Sequence, residues 1–293
     1  MTSSGKLSNS TVPLHQLPSL REVIQSSELW AKQSLGQNFL LDMNITRKIV
    51  QAAGFLTDAT IIEIGPGPGG LTRAFLENET SNVIAIEKDS RAIKALKPLQ
   101  DLFKDRLTLI EGDALKISIH TLGTEKRYVI ANLPYNIATS LLMNWLEHAS
   151  SFEKLILMFQ KEVADRILSA PHTKSYGRLS VKVQWLCEVR RVLTLPPEVF
   201  WPSPKVYSTV VEFIPRPAPL YPANKDDLEE VLKIAFSQRR KMLRASLQGL
   251  NVSVEDLLNR ANILPTLRPE NLSIEDFCKL ANIFRELKNS TRS

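Results

Sequence analysis

The chain has 293 residues, a formal net charge of +6, 43% hydrophobic and 23% charged residues, the balance of a soluble globular protein with a weak pull toward a polyanionic partner. Its longest apolar runs fall well short of the ~20 residues that span a bilayer, which argues against a membrane protein. Its two cysteines, Cys187 and Cys278, form no C-x-x-C pair and have no histidine cluster beside them, so a disulfide framework or a metal site is not expected and a reducing cytoplasm fits.

The chain opens with Ser, Thr and Pro, little acid and no arginine before Arg21. It lacks the layout of a secretory signal, and residues 1–28 are expected to form a disordered extension. From Thr60 to Phe159 short apolar runs alternate with amphipathic stretches. The runs are TIIEI (60–64), NVIAIE (82–87), LTLIEGD (107–113), YVIAN (128–132) and KLILMF (154–159). LTRAFLE, SRAIKALKPL and ATSLLMNWLEHA lie between them, with apolar residues at helical spacing. Such alternation predicts parallel strands covered on both faces, an α/β doubly wound, Rossmann-like sheet. Segments near 188–195 and 207–214 predict antiparallel strands at the sheet edge.

Ile214–Pro222 then reads IPRPAPLYP. Proline has no ladder donor and biases its predecessor away from helix, so 215–222 is read as a stiff linker. Beyond it DDLEEVLKIAFSQRRKMLRASL, SVEDLLNRAN and SIEDFCKLANIFREL are helical in pattern, with Ser253 and Ser273 as starts of the last two. The expected division is an α/β domain over 29–214, the linker, and a small C-terminal all-helical domain over 223–293.

Residues 63–70 read EIGPGPGG, and Gly65, Gly67 and Gly70 satisfy the dinucleotide pattern G-x-G-x-x-G. The same turn serves a redox dinucleotide or S-adenosylmethionine, and a ribose-binding acid ending the second strand, here Glu87, serves both. Asp113, after the third strand, stands where it can accept from an adenine amine, or else it is a turn residue. Two acids at neighbouring strand ends suit an adenosine without pyrophosphate.

NLPY, Asn132–Tyr135, follows the fourth strand. A nucleobase amine is a poor nucleophile because its lone pair is delocalised into the ring. The Asn132 amide oxygen and a backbone oxygen at Leu133 or Pro134 can accept its hydrogens and aim the lone pair at a methyl donor. Tyr135 offers a ring on which an extruded base can stack. Alignment and electrostatics suffice, with no strong general base.

Together with SLGQNFL (34–40), these motifs make the chain resemble the ribosomal RNA adenine dimethylase family from about Lys32 to the C-terminus. The resemblance implies a class I methyltransferase fold, S-adenosyl-L-methionine as cofactor, and N6,N6-dimethylation of two adjacent adenosines near the 3′ end of small-subunit (16S) rRNA. It further implies a cytoplasmic monomer acting on an assembling 30S particle. On matching positions it places Asn38 and Leu40 against the cofactor, Gly65 at its methionine part, Glu87 at the ribose, Asp113 at the adenine amine and Asn132 beside the transferred methyl. LPPEVFWPSPKVYS (195–208) matches a family segment in which Phe200 stacks the target adenine opposite Tyr135; read bare, Phe200 is a core aromatic. SQRRKMLRASL (237–247) resembles the family's RNA-contacting segment through Arg239, Arg240, Lys241 and Arg244, with Ala245 where asparagine is usual; read bare, it is a solvated face. Lys161 and Arg178 are weaker candidates for the RNA approach.

Four other readings stand beside this one. They are a large-subunit rRNA adenine methyltransferase of the antibiotic-resistance type, a more distant N6-adenine DNA methyltransferase, whose D/N-P-P-Y motif lacks the leucine at the second position of Asn132–Tyr135, a non-catalytic ribosome-assembly factor, and a NAD-linked oxidoreductase. The last lacks a histidine between His15 and His120 to relay a proton.

Overall fold

The computed structural model describes residues 16–32, 36–54, 56, 58–77, 82–124 and 126–290. In chain order its strands are β1 (Phe39–Leu40), β2 (Thr60–Ile64), β3 (Asn82–Glu87), β4 (Leu107–Glu111), β5 (Arg127–Ala131), β6 (Lys154–Gln160), β7 (Cys187–Leu195), β8 (Phe200–Trp201) and β9 (Ser208–Pro215). β1 and β8 form a two-stranded pair, and the other seven form one sheet in the order β4-β3-β2-β5-β6-β9-β7. β2 pairs in parallel with β3 and with β5, β3 with β4, and β5 with β6. All five residues of β2 are buried, as a strand covered on both faces requires. The order reverses beside β2, between strands β3 and β5, and that switch point is where a doubly wound sheet opens its crevice. β7 and β9 lie together at one edge, where the sequence predicts the last two strands.

The chain divides into two compact units. One holds the residues to Trp145, with Ser151–Met158 and Leu195–Ser208; the other holds Leu146–Ser150, Phe159–Thr194 and Thr209 onward. This differs from the boundary expected at 215–222. In the second unit, α7 (Arg178–Leu186) precedes the prolines in sequence. Its Val181 and Trp185 nevertheless share one buried cluster with Leu228 and Val231 of α8 (Lys225–Ser237) and Phe277 and Phe284 of α11 (Ile274–Ser290). The proline segment is a strap fastened to α7. Arg216 N donates to Leu186 O and Leu220 N to Trp185 O, both at 2.8 Å, and Trp185 Nε1 donates to Tyr221 O at 2.7 Å.

The single helix expected over 226–247 breaks at Gln238. Only Leu243–Ser246 resumes as α9, and its first two amides are bonded to distant carbonyls, Leu243 N to Leu267 O and Arg244 N to Pro265 O. Ser253 caps α10 (Val254–Ala261) by accepting from Asp256 N.

Of the expected 1–28 extension, residues 1–15 lie outside the described residues. Leu20–Ser26, however, is an ordered helix, α1. Ser19 and Glu22 form a reciprocal capping box, and Leu20, Val23 and Ile24 are buried. Ile24 and Leu29 pack with Phe39 and Ala92, an apolar cluster that the polar opening of the chain hides from composition arguments.

Candidate active site

Parallel strands deliver their carboxyl ends to one side of the sheet. Gly65 follows β2, Glu87 ends β3, Asp113 follows β4 and Asn132 follows β5. The structure brings all four into the lining of one cavity of about 150 Å³, together with Asn38, Leu133, Pro134 and Tyr135.

The glycine turn has steric reasons. At Gly67 the backbone is left-handed, φ +53°, and a Cβ there would sit 2.8 Å from the Phe39 ring. At Gly70, the start of α3 (Gly70–Leu76), a Cβ would meet the Leu40 carbonyl at 2.8 Å. Gly70 therefore accommodates the chain above it, and Gly67 leaves room beside the cavity.

Glu87 is buried, and burial pushes its carboxyl above the ordinary range against the pull of three backbone donors. Lys88 N and Asp89 N donate to Oε1 at 2.8 and 2.9 Å, and Gly67 N to Oε2 at 3.3 Å. Lys88 Nζ lies 2.9 Å from the Asp113 carboxylate and holds its titration below the usual range. Asp113 also accepts from Leu115 N at 3.0 Å, so the turn-residue role and the cavity position coincide.

The segment QNF crosses the cavity under polar control. Gln37 Oε1 accepts from Lys32 N at 2.9 Å, and Gln37 Nε2 donates to Asp89 at 3.2 Å. Asp89 caps α4 (Ser90–Leu102) and pairs with Arg91 at 2.6 Å, which lowers its pKa to about 2. Arg91 in turn donates to the carbonyls of Glu28 and Trp30, at 3.1 and 3.2 Å. Asn132 completes the attachment by donating from Nδ2 to Asn38 O at 2.8 Å.

In NLPY the turn runs directly into α5 (Tyr135–Leu146). Pro134 O accepts from Ile137 N and Ala138 N, at 3.1 and 3.0 Å, so the helix start already uses it. Of the two backbone oxygens weighed from sequence, Leu133 O is the one left for a substrate amine. The Tyr135 hydroxyl meets the Ser208 hydroxyl at 2.5 Å, and burial raises its pKa.

Two sequence candidates are not among the cavity-lining residues. Leu40 is buried, with its carbonyl over Gly70. Phe200 is only 4% exposed, because β8 (Phe200–Trp201) pairs antiparallel with β1 (Phe39–Leu40) in the register Leu40 opposite Phe200. Conversely Gln37, Phe39, Lys88 and Asn136 line the cavity, and sequence reasoning does not single them out. Each sits within or beside a recognised motif, but only the fold decides which neighbours face inward. Ser34 and Leu35 of SLGQNFL lie outside the described residues.

In the second unit Arg239, Arg240 and Lys241 line a separate groove of about 590 Å³ with Lys174 and Glu270. Arg239 is committed internally. It lies 2.9 Å from the Glu270 carboxylate and donates to the carbonyls of Thr173 and Lys174. Arg240, Lys241 and Arg244 are exposed. Arg178 pairs with Glu229, and Lys161 with Asp165 at 2.6 Å, so neither is a free cation. Among the described residues no group of three His, Cys, Asp or Glu side chains could hold a metal, and no helix is long and apolar enough to cross a membrane.

A glycine turn, two strand-end acids and an Asn-x-Pro-Tyr turn on a doubly wound sheet define a Rossmann-like class I methyltransferase. The comparisons narrow the class. A model of the ribosomal RNA adenine dimethylase family matches residues 29–286, and the chain belongs to that family. The ribosomal RNA small subunit methyltransferase A of Rhodospirillum rubrum is 56% identical over 254 residues, 87% of this chain and 88% of that protein. The protein of the same name from Paramagnetospirillum magneticum is 52% identical over 254 residues, 87% of this chain and 90% of its own. A crystal structure of a dimethyladenosine transferase from Plasmodium falciparum superimposes with a TM-score of 0.73 at 30% identity, covering 84% of this chain and 97% of that one. The 23S rRNA methyltransferase ErmE gives a TM-score of 0.64 at 25% identity, covering 86% and 100%.

Proposed function

We propose that this chain dimethylates N6 of two adjacent adenosines near the 3′ end of small-subunit rRNA, with S-adenosylmethionine as methyl donor and an assembling 30S particle as substrate. The relatives at 56% and 52% identity are small-subunit enzymes, which favours that target over the large subunit.

The cavity fits the donor. Gly67 makes room for the Phe39 ring in the cavity wall, which a Cβ would meet at 2.8 Å, and the Glu87 carboxylate at the end of β3 suits ribose hydroxyls. Asp113 suits an adenine amine, and two carboxylates in one cavity disfavour a pyrophosphate. Gly65 and Asn38 line the remaining wall. When bound, the donor supplies an electrophilic methyl group on a sulfonium.

The chain's own residues align the acceptor. Asn132 Oδ1 and Leu133 O accept the two N6 hydrogens and disfavour the planar, conjugated amine. Tyr135, its hydroxyl tethered to Ser208, offers its ring face to the base. The exposed cations Arg240, Lys241 and Arg244 supply phosphate contacts, while selectivity comes from RNA shape and unpaired loops. The observation that carries the reading is the Asn132–Asn38 hydrogen bond, which leaves the amide oxygen at the cavity as an acceptor.

The test is incubation with labelled S-adenosylmethionine and unmethylated small or large subunits, followed by mapping of the label. N6,N6-dimethyladenosine in small-subunit rRNA supports the proposal. Label confined to large-subunit rRNA, or none in either, overturns it. Asn132→Ala should bind the particle and not methylate it; were the protein only an assembly factor, the wild type would behave the same way.

A further inference from the structure

A second recess in the first unit is used by nothing described above. It holds about 180 Å³ and is lined by Arg21, Ile24, Gln25, Trp30, Leu41 and Trp201. Trp30 is 53% exposed, a costly position for the largest apolar side chain unless something covers it. Its ring centroid lies 5.8 Å from that of Trp201 with the planes at 57°, so the two rings brace each other and leave no slot between them. Arg91 pins the Trp30 carbonyl at 3.2 Å, which holds the backbone that carries the ring. At the rim, exposed Arg21 has no ion-pair partner among the described residues. The recess also adjoins the active site through the backbone: Trp201 pairs with Phe39, whose ring lines the cofactor cavity.

We propose that this recess is a subsite for an unpaired nucleotide of the RNA substrate, separate from the one that is methylated. The base stacks on the exposed face of Trp30 with Trp201 as the wall, and Arg21 meets the adjoining phosphate. The occupant follows from the chemistry: a flat aromatic face with a free guanidinium beside it suits a base and its phosphate. An aliphatic partner would leave that charge uncompensated. The inference rests on the RNA substrate proposed above.

Tryptophan fluorescence reads the subsite directly. Of the chain's four tryptophans, Trp145 and Trp185 are each 3% exposed, so quenching by an added nucleic acid reports on Trp30 and Trp201. A single-stranded oligouridylate of about ten nucleotides should quench the wild type, and a fully paired duplex of equal length should quench it far less. Trp30→Ala should remove most of the quench and weaken oligonucleotide binding about tenfold, and Trp30→Phe should recover much of the affinity. Arg21→Ala should weaken binding and flatten its salt dependence. Affinity for S-adenosylmethionine, measured in parallel, should stay unchanged in all three and so verifies the fold.

If Trp30→Ala binds the oligonucleotide as the wild type does while both methylate small subunits, the subsite is wrong and the proposed function stands. If the oligonucleotide leaves fluorescence unchanged while small-subunit proteins freed of rRNA quench it, the recess is a protein contact and the nucleotide assignment fails. Wild-type protein that neither binds nor methylates RNA overturns both.

Discussion

Asn132 donates its side-chain N–H to the backbone carbonyl of Asn38 at 2.8 Å. A carbonyl can only accept, so the amide orientation is determined: Nδ2 faces the QNF segment and Oδ1 remains an acceptor at the cavity. One side chain therefore joins the turn after β5 to the segment across the glycine loop, and presents to an incoming amine the group it needs.

Asn132→Ala should accordingly show two effects of different size. Loss of a preorganised acceptor is expected to lower single-turnover methyl transfer by about two orders of magnitude or more. Cofactor affinity should fall only severalfold, because Gln37 and Arg91 still hold the segment. Rapid-quench kinetics beside equilibrium titration separates the two. Equal losses in both would show that Asn132 only holds the segment in place.

Gly67→Ala forces a left-handed residue to carry a Cβ 2.8 Å from the Phe39 ring. The backbone cost is about 1–2 kcal/mol, and Phe39 must move within the cavity wall. The expected outcome is at least tenfold weaker S-adenosylmethionine binding by calorimetry, with a modest fall in the denaturation midpoint. A stability loss with wild-type affinity would mean that Phe39 does not shape the site.

Glu63 gives a pH signature. It is buried in β2, accepts from Thr72 Oγ1 at 2.6 Å, and burial pushes its carboxyl from 4.5 up to about 8. The folded state then keeps a proton that the unfolded state releases above pH 4.5. This contribution to stability is fully present below pH 4.5 and is lost as pH rises through 8. The wild type should lose stability on the order of a few kcal/mol across that window, and Glu63→Gln should flatten the dependence. Urea denaturation at several pH values checks this; parallel curves for the two proteins would contradict it.

Arg239 and Arg240 should part company. Removing Arg239 breaks its Glu270 pair and frees the carbonyls of Thr173 and Lys174, so Arg239→Ala should cost about 1–3 kcal/mol of stability in the helical unit. Reversing exposed Arg240 and Lys241 together should leave the denaturation midpoint unchanged. It should lower RNA affinity and reduce the salt slope by about one to two. Denaturation and filter binding at several salt concentrations distinguish them. Stability loss in the double reversal would show that those cations are structural as well.

Much of the architecture is legible in the chain because local rules coincide with the fold. TIIEI and NVIAIE are the strands β2 and β3 to the residue, since continuous apolar runs have one stable place, inside a parallel sheet. Glu87, Asp113 and Asn132 converge because each ends or follows such a strand, and parallel strands end on one side. Those site positions are consequences of periodicity and polarity. Other assignments depend on what lies across the molecule. Phe200 is buried because a two-residue strand from the far end of the unit pairs with it. Arg239 is held by Glu270, and beyond the end of α8 the amides of Leu243 and Arg244 bond to the distant carbonyls of Leu267 and Pro265. Composition marks the opening of the chain as polar, yet Leu20, Val23 and Ile24 bury one face of a helix there. Propensity and patterning act over a few residues, whereas the use of a side chain depends on partners dozens of residues away, and those partners exist only once the chain has folded.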